Sequence, residues 1–173
     1  ETLMSLGINV VDLGLSTTPT VEVAVVLEKA NGGIIITASH NPKEWNALKL
    51  LDHNGEFLNK IEGEKVLALA EAEDFNFADV DDLGTYTKKK DYINIHIDEV
   101  LKLKLVDISA IKAAHFKVVV DAVNSTGGIA IPALLEKLGV ACVKLYCEPN
   151  GQFPHNPEPL PAHLTEISKL VVQ

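Results

Sequence analysis

The chain has 173 residues, 47% of them apolar and 23% charged, a profile that fits one globular domain or two small ones and excludes a disordered chain. Its net charge of −9 argues against nucleic acid or an anionic membrane as partner, since both need a basic field. Apolar runs stop short of the ~18 residues of a membrane span, and Glu1 is not followed by a basic-then-apolar leader. Cys142 and Cys147 are too few for a disulfide framework and lack the second pair of a zinc site, so a reduced, cytoplasmic protein is expected. Cys142 sits in an apolar run and reads as a small core residue. All 15 basic residues are lysines; the chain contains no arginine.

Strand and helix signals alternate along the chain. Residues 8–13 form a β-branched run and predict a strand. Ser16, Thr17, Thr18 and Pro19 supply a cap and a first-turn proline for a helix carrying Val23, Val26, Leu27 and Ala30, which Asn31-Gly32-Gly33 ends. The run Gly33–Thr37 (GIIIT) is apolar on both faces, as in the centre of a covered sheet. Residues 38–45 are expected to be a loop entering a helical turn. Ala47–Leu51 predicts a further strand, with Asp52-His53-Asn54-Gly55 as a hairpin turn before Glu56 and Phe57. A helix capped by Asn59 is expected over 60–73.

Residues 74–90 show no clear period and end in three lysines; they read as a surface connection. An amphipathic helix follows over 91–104, with Ile93, Ile97, Val100 and Leu101 on one face. Then come a strand over 116–121, a small-residue loop over 122–128, a helix over 129–138 closed by Gly139, and a strand over 140–146. A loop with five prolines over 148–161 leads to a final helix marked by Leu164, Ile167, Leu170 and Val171. Two β-α-β blocks joined by a helix predict an α/β fold: two α/β/α modules with mixed sheets, the first expected to be incomplete at its N-terminus.

The stretch Thr37-Ala38-Ser39-His40-Asn41-Pro42-Lys43-Glu44-Trp45 carries the chemistry. Asn41, Pro42 and Glu44 suit a helix start, as N-cap, first position and capping-box acid. That leaves Ser39, His40 and Lys49 without a task. Ser39 directly follows an apolar strand, where an α/β sheet presents loops to a ligand. A phosphate on its hydroxyl would be favoured by helix-start N–H groups. Neighbours in an extended loop point apart, there is no G-x-S-x-G elbow, and no Asp is placed to orient His40. A Ser39–His40 hydrolase is therefore ranked low.

Thr37-Ala38-Ser39-His40-Asn41-Pro42, followed by Asn46-Ala47-Leu48-Lys49, resembles the active-site loop of the α-D-phosphohexomutase family, the phosphoglucomutases, phosphomannomutases and phosphoglucosamine mutases. Ala47 stands where the family pattern has glycine. Val118-Val119-Val120-Asp121 through Gly128 is similar to the opening of the family's second domain, and Gly151-Gln152-Phe153-Pro154 with Asn156-Pro157-Glu158-Pro159 resembles a later loop. The resemblance implies residues 1–88 as the C-terminal part of domain I, with the phosphoserine loop, and 89–173 as most of domain II. It implies interconversion of hexose 1-phosphate and hexose 6-phosphate, glucose or mannose first and glucosamine as the alternative. Ser39 would be the phosphoryl carrier and hexose 1,6-bisphosphate the intermediate. His40 would position phosphate or sugar, and Lys49 would act as acid/base or phosphate partner. Thr17 and Asn41 would face the phosphate, though Thr17 also reads as a plain helix cap. The family's Mg²⁺ would meet this chain only through the Ser39 phosphate. Its aspartate loop, like domains III and IV of the same enzyme, is expected beyond Gln173, so this chain alone is expected to be an inactive fragment. A non-catalytic α/β sugar-phosphate-binding module is the reading from another class.

Other residues read as structural. His53, His96, His115, His155 and His163 form no metal-type spacing, and Asp12 and Asp121 are lone strand-end acids. Trp45 reads as a core anchor. Gly127-Gly128 is not followed by the Lys-Ser/Thr of a phosphate loop, and no G-x-G-x-x-G is present.

Overall fold

The computed structural model describes residues 1–42 and 44–172; Lys43 and Gln173 lie outside the described residues. A one-turn helix, α1 (Thr2–Ser5), precedes β1 (Val10–Asp12), α2 (Thr18–Leu27), β2 (Gly33–Thr37), β3 (Ala47–Leu51) and α3 (Lys60–Ala72). After a short 3-10 turn come β4 (Tyr86–Lys88), α4 (Tyr92–Leu101), α5 (Ile108–Ala113), β5 (Lys117–Asp121), α6 (Gly127–Lys137), β6 (Ala141–Leu145) and, beyond a second 3-10 turn, α7 (Thr165–Val171). The described strands form three two-stranded sheets.

The second half follows the expected β-α-β pattern. β5 and β6 are parallel, from Lys117 opposite Ala141 to Asp121 opposite Leu145, with α6 as the crossover. The first half does not. β1 pairs with β4 rather than β2, and β2 forms an antiparallel hairpin with β3, Thr37 opposite Ala47 and Gly33 opposite Leu51. The stretch read as a bare surface connection thus holds β1's partner. Three residues, Tyr86, Thr87 and Lys88, suffice for that pairing but are too few to show a period.

β2 corrects a second expectation. Ile35 is buried with Val25 and Leu51, while Ile34 and Ile36 are 46% and 70% exposed. Alternation along the strand puts Ile34 and Ile36 on the face opposite Ile35, and nothing among the described residues covers it. Cys142 is only half-buried.

Local chemistry explains the helices. α3 starts on a full capping box: Asn59 Oδ1 accepts from the Glu62 N–H and Glu62 returns a bond to the Asn59 N–H. α2 starts on Thr17, with Pro19 in its first turn. α5, absent from the sequence reading, is short but capped by Asp107, whose carboxylate accepts from the Ala110 N–H at 2.9 Å.

α2 packs against β2 on one side and α4 on the other. At the α4 contact Thr20 is 0% exposed, and its Oγ1 lies 2.8 Å from Thr17 Oγ1 and 3.1 Å from His96 Nδ1. His96 is therefore a packed, hydrogen-bonded histidine. Thr20→Val keeps the shape but removes the link between them. We expect a loss of about 1–3 kcal/mol, read as a lowered melting temperature; an unchanged one would count against the relay.

Candidate functional site

The candidate site sits in the loop that connects β2 to β3, at the closed end of the hairpin. β2 ends at Thr37, whose Oγ1 accepts a 2.8 Å hydrogen bond from the Ser39 N–H. The Asn41 N–H donates to the Ala38 carbonyl at 3.0 Å, and the Trp45 N–H to that of Pro42 at 3.0 Å. These are two successive turns, not the expected helix start. Among the described residues no helix begins at Asn41.

Ser39 is held instead in the left-handed region, at φ +56°. For a residue with a Cβ that conformation costs about 1–2 kcal/mol, and it persists only where the surroundings impose it. Here the Ser39 N–H is tied to the Thr37 hydroxyl. Sequence reasoning passed over Thr37; the Thr-x-Ser spacing at a strand end is the signal that finds it. The same φ overturns the expectation that Ser39 and His40 point apart. Ser39 Oγ lies 3.4 Å from His40 Nδ1, at the long end of hydrogen bonding. Both residues are exposed, and no carboxylate bonds His40 among the described residues.

Trp45 is 63% exposed, so the core-anchor expectation fails. Lys49 sits on β3 opposite Ile35, with its Nζ 5.6 Å from the centroid of the Phe57 ring. It lines an open groove of about 790 Å³ with Phe57, Leu58, Lys60, Glu64 and Leu67. Ser39, His40, Asn41 and Thr17 do not line that groove. Lys49 is two positions beyond Ala47, about 7 Å further from the loop along the strand. The structure brings Ser39 and His40 together and places Lys49 in the groove beside Phe57. Thr17 caps α2: its Oγ1 accepts from the Thr20 N–H at 3.3 Å and shares a hydrogen bond with Thr20 Oγ1.

The two strand-end acids are partnered rather than lone. The Tyr86 hydroxyl and the Gly14 N–H bond the Asp12 carboxylate and hold its pKa below the ordinary value. Asp121 pairs with His155 at 2.8 Å. Among the described residues no three His, Cys, Asp or Glu side chains are grouped to hold a metal ion. No helix in them is long and apolar enough to cross a membrane.

Two α/β modules in tandem, the first presenting an exposed serine just after a strand, define the class. The family model for phosphoglucomutase/phosphomannomutase alpha/beta/alpha domain I matches residues 1–77, and that for alpha/beta/alpha domain II matches residues 94–173. The chain belongs to the phosphoglucomutase/phosphomannomutase family. A phosphoglucomutase/phosphomannomutase of Thermococcus kodakarensis is 40% identical over 170 residues, covering 98% of this chain and 37% of the relative. A phosphoglucosamine/phosphogalactosamine mutase of Sulfurisphaera tokodaii is 32% identical, with 98% and 37% covered. The crystal structure of a phosphomannomutase-type protein from Thermus thermophilus superposes with a TM-score of 0.80 at 26% identity, covering 98% of this chain and 38% of that one. The chain thus spans little more than a third of the length of these relatives.

Proposed function

We propose that the protein is a phosphohexomutase in which Ser39 carries the phosphoryl group between hexose 1-phosphate and hexose 6-phosphate. The observation that carries this reading is the exposed Ser39 hydroxyl, held at φ +56° at the end of β2 by Thr37 and set beside His40. A phosphoryl carrier must project from a fixed backbone so that both transfers find the phosphorus in line. In the first transfer the Oγ–P bond breaks as a P–O bond forms to the sugar hydroxyl, whose proton leaves to a base. The product is hexose 1,6-bisphosphate. In the second, the other phosphoryl returns to Ser39 Oγ and the sugar oxygen takes back a proton. His40 positions the phosphate, Asn41 and Thr17 border it, and Lys49 serves as acid/base or phosphate partner once the substrate bridges the distance.

The family's Mg²⁺ suits hard oxygen ligands. The described residues do not supply such a set; the Ser39 phosphate is the one ligand this chain would add, and no step here is routed through the ion. Bidentate phosphate clamping is arginine's work, and this chain has none. The 173 residues alone are therefore proposed to be inactive, the remaining grip belonging to domains III and IV of the same enzyme. The boundary between the two modules is proposed after Lys88, where β4 ends as β1's partner. Two free thiols support a reducing, cytoplasmic setting. Glucose and mannose phosphates are the first substrates. Glucosamine phosphate is the second reading, favoured by the name of the S. tokodaii relative.

The test is phosphoryl transfer. Full-length protein incubated with glucose 1,6-bisphosphate labelled in its phosphoryl groups should yield one labelled peptide containing Ser39. Label elsewhere, or none, would sink the carrier role.

A further inference from the structure

The C-terminal ends of β5 and β6 hold a cluster that the proposed reaction does not use. His155, in the proline-rich loop, has both ring nitrogens on oxygen acceptors: Nε2 is 2.8 Å from Asp121 Oδ2 and Nδ1 is 2.8 Å from the Asn156 carbonyl. The Asp121 side chain is only 6% exposed. Tyr146, on the residue after β6, sets its ring edge-on to the imidazole at 5.9 Å, and its hydroxyl bonds Glu166 of α7. The loop is also tied by backbone: the Gly151 N–H donates to the Asn124 carbonyl at 2.9 Å, and Asn124 Nδ2 donates to the Gln152 carbonyl at 2.9 Å. The residues beneath it are strained, with Val123, Asn124 and Tyr146 at φ +43°, +55° and +49°.

A carbonyl and an ionised carboxylate only accept. A neutral imidazole donates from one nitrogen, so one of the two oxygens would then face a lone pair. Only the imidazolium satisfies both. The double bonding also rules out proton transfer as the task of His155, since neither nitrogen is free. We propose that His155 is a pH-controlled latch that fastens the loop over residues 148–160 to the end of the β5–β6 sheet when protonated and releases it when neutral.

Every charged group facing the ring favours this. Asp121 lies against it from β5 and Glu166 from α7, with the Tyr146 hydroxyl between ring and Glu166. Burial alone lowers the His155 pKa, but the Asn156 carbonyl, the Asp121 bond and the charges of Asp121 and Glu166 outweigh it, and the net value is raised above 6.5. A raised value in the folded state means the latch stabilises fully below the ordinary imidazole range and fades as pH rises through the folded pKa.

The experiment follows the His155 ring nitrogens and the backbone amides by NMR from about pH 5.5 to about 8.5, bracketing the imidazole range. Expected are a doubly protonated ring at the acid end and a midpoint above about 6.5. Protection of the Gly151 amide, corrected for intrinsic exchange, should fall about tenfold for each unit by which the midpoint exceeds 6.5. The Val119 amide in β5 should keep its protection. In His155→Asn the Gly151 amide should exchange fast at every pH. A midpoint at or below 6.5, Gly151 protection that ignores it, or Val119 opening in step would overturn the latch. Should His155→Asn fail to fold, the unmodified chain's titration decides alone.

Discussion

Ser39→Ala should lower hexose-phosphate mutase turnover of the full-length protein by about 10⁴-fold or more, the scale on which removal of a covalent carrier acts. The melting temperature should stay within a degree or two of the parent, because the side chain is exposed and alanine keeps the Cβ. Ser39→Gly separates chemistry from strain. It also removes the hydroxyl and is equally inactive, yet it relieves the left-handed backbone at φ +56° and should stabilise by up to about 1 kcal/mol. A dead but slightly more stable variant is the signature of a strained functional residue. Activity of Ser39→Ala within tenfold of the parent would refute the carrier role. A destabilised Ser39→Gly would show that the backbone is not strained there.

The elements were legible where their signals are local. Asn59, Thr17 with Pro19, and Asp52 through Gly55 each act within a few residues, and the structure shows each as a cap or turn. Pairing was less legible, because it depends on partners far along the chain. β1 meets β4 76 residues later, through a stretch with no period of its own. The two-sided apolar run Gly33–Thr37 predicts a covered strand, but periodicity reports what a strand can bury, not whether anything lies over it.

The site divides in the same way. Ser39 and its loop are a contiguous motif. Its left-handed turn was not visible, because Asn41 and Pro42 mimic a helix start and the Thr37 hydroxyl settles the matter otherwise. The pairing of His155 with Asp121 spans 34 residues, and neither residue's neighbours announce it. The position of Lys49 follows from hairpin register, which places it opposite Ile35, two positions from the Thr37–Ala47 pair beside the loop.

That hairpin is pinned at its other end, where Gly55→Ala should cost about 2–5 kcal/mol. Two effects add. Gly55 is buried at φ +75°, which costs a side-chain-bearing residue about 1–2 kcal/mol. A Cβ there would lie 2.4 Å from the Glu22 carbonyl oxygen and 3.1 Å from its carbon, and forced overpacking costs about 1–3 kcal/mol more. Neither partner can yield cheaply. The Glu22 carbonyl is backbone in the middle of α2. The turn itself is fixed by the Asp52 carboxylate, which accepts from the Asn54 and Glu56 N–H groups at 2.8 and 3.0 Å. Gly14→Ala is the control: φ is +67°, but nothing lies within 4 Å of its Cβ, so only the first cost applies. At about 2–4 °C per kcal/mol for a chain of this size, Gly55→Ala should melt about 4–20 °C lower, and well below Gly14→Ala. Because α2 steadies the hairpin that ends in Ser39, the full-length Gly55→Ala protein should also lose turnover while its Ser39 can still be labelled. Equal melting of the two variants would show that α2 and the turn are not in contact, and that the hairpin carrying Ser39 is held by β2 alone.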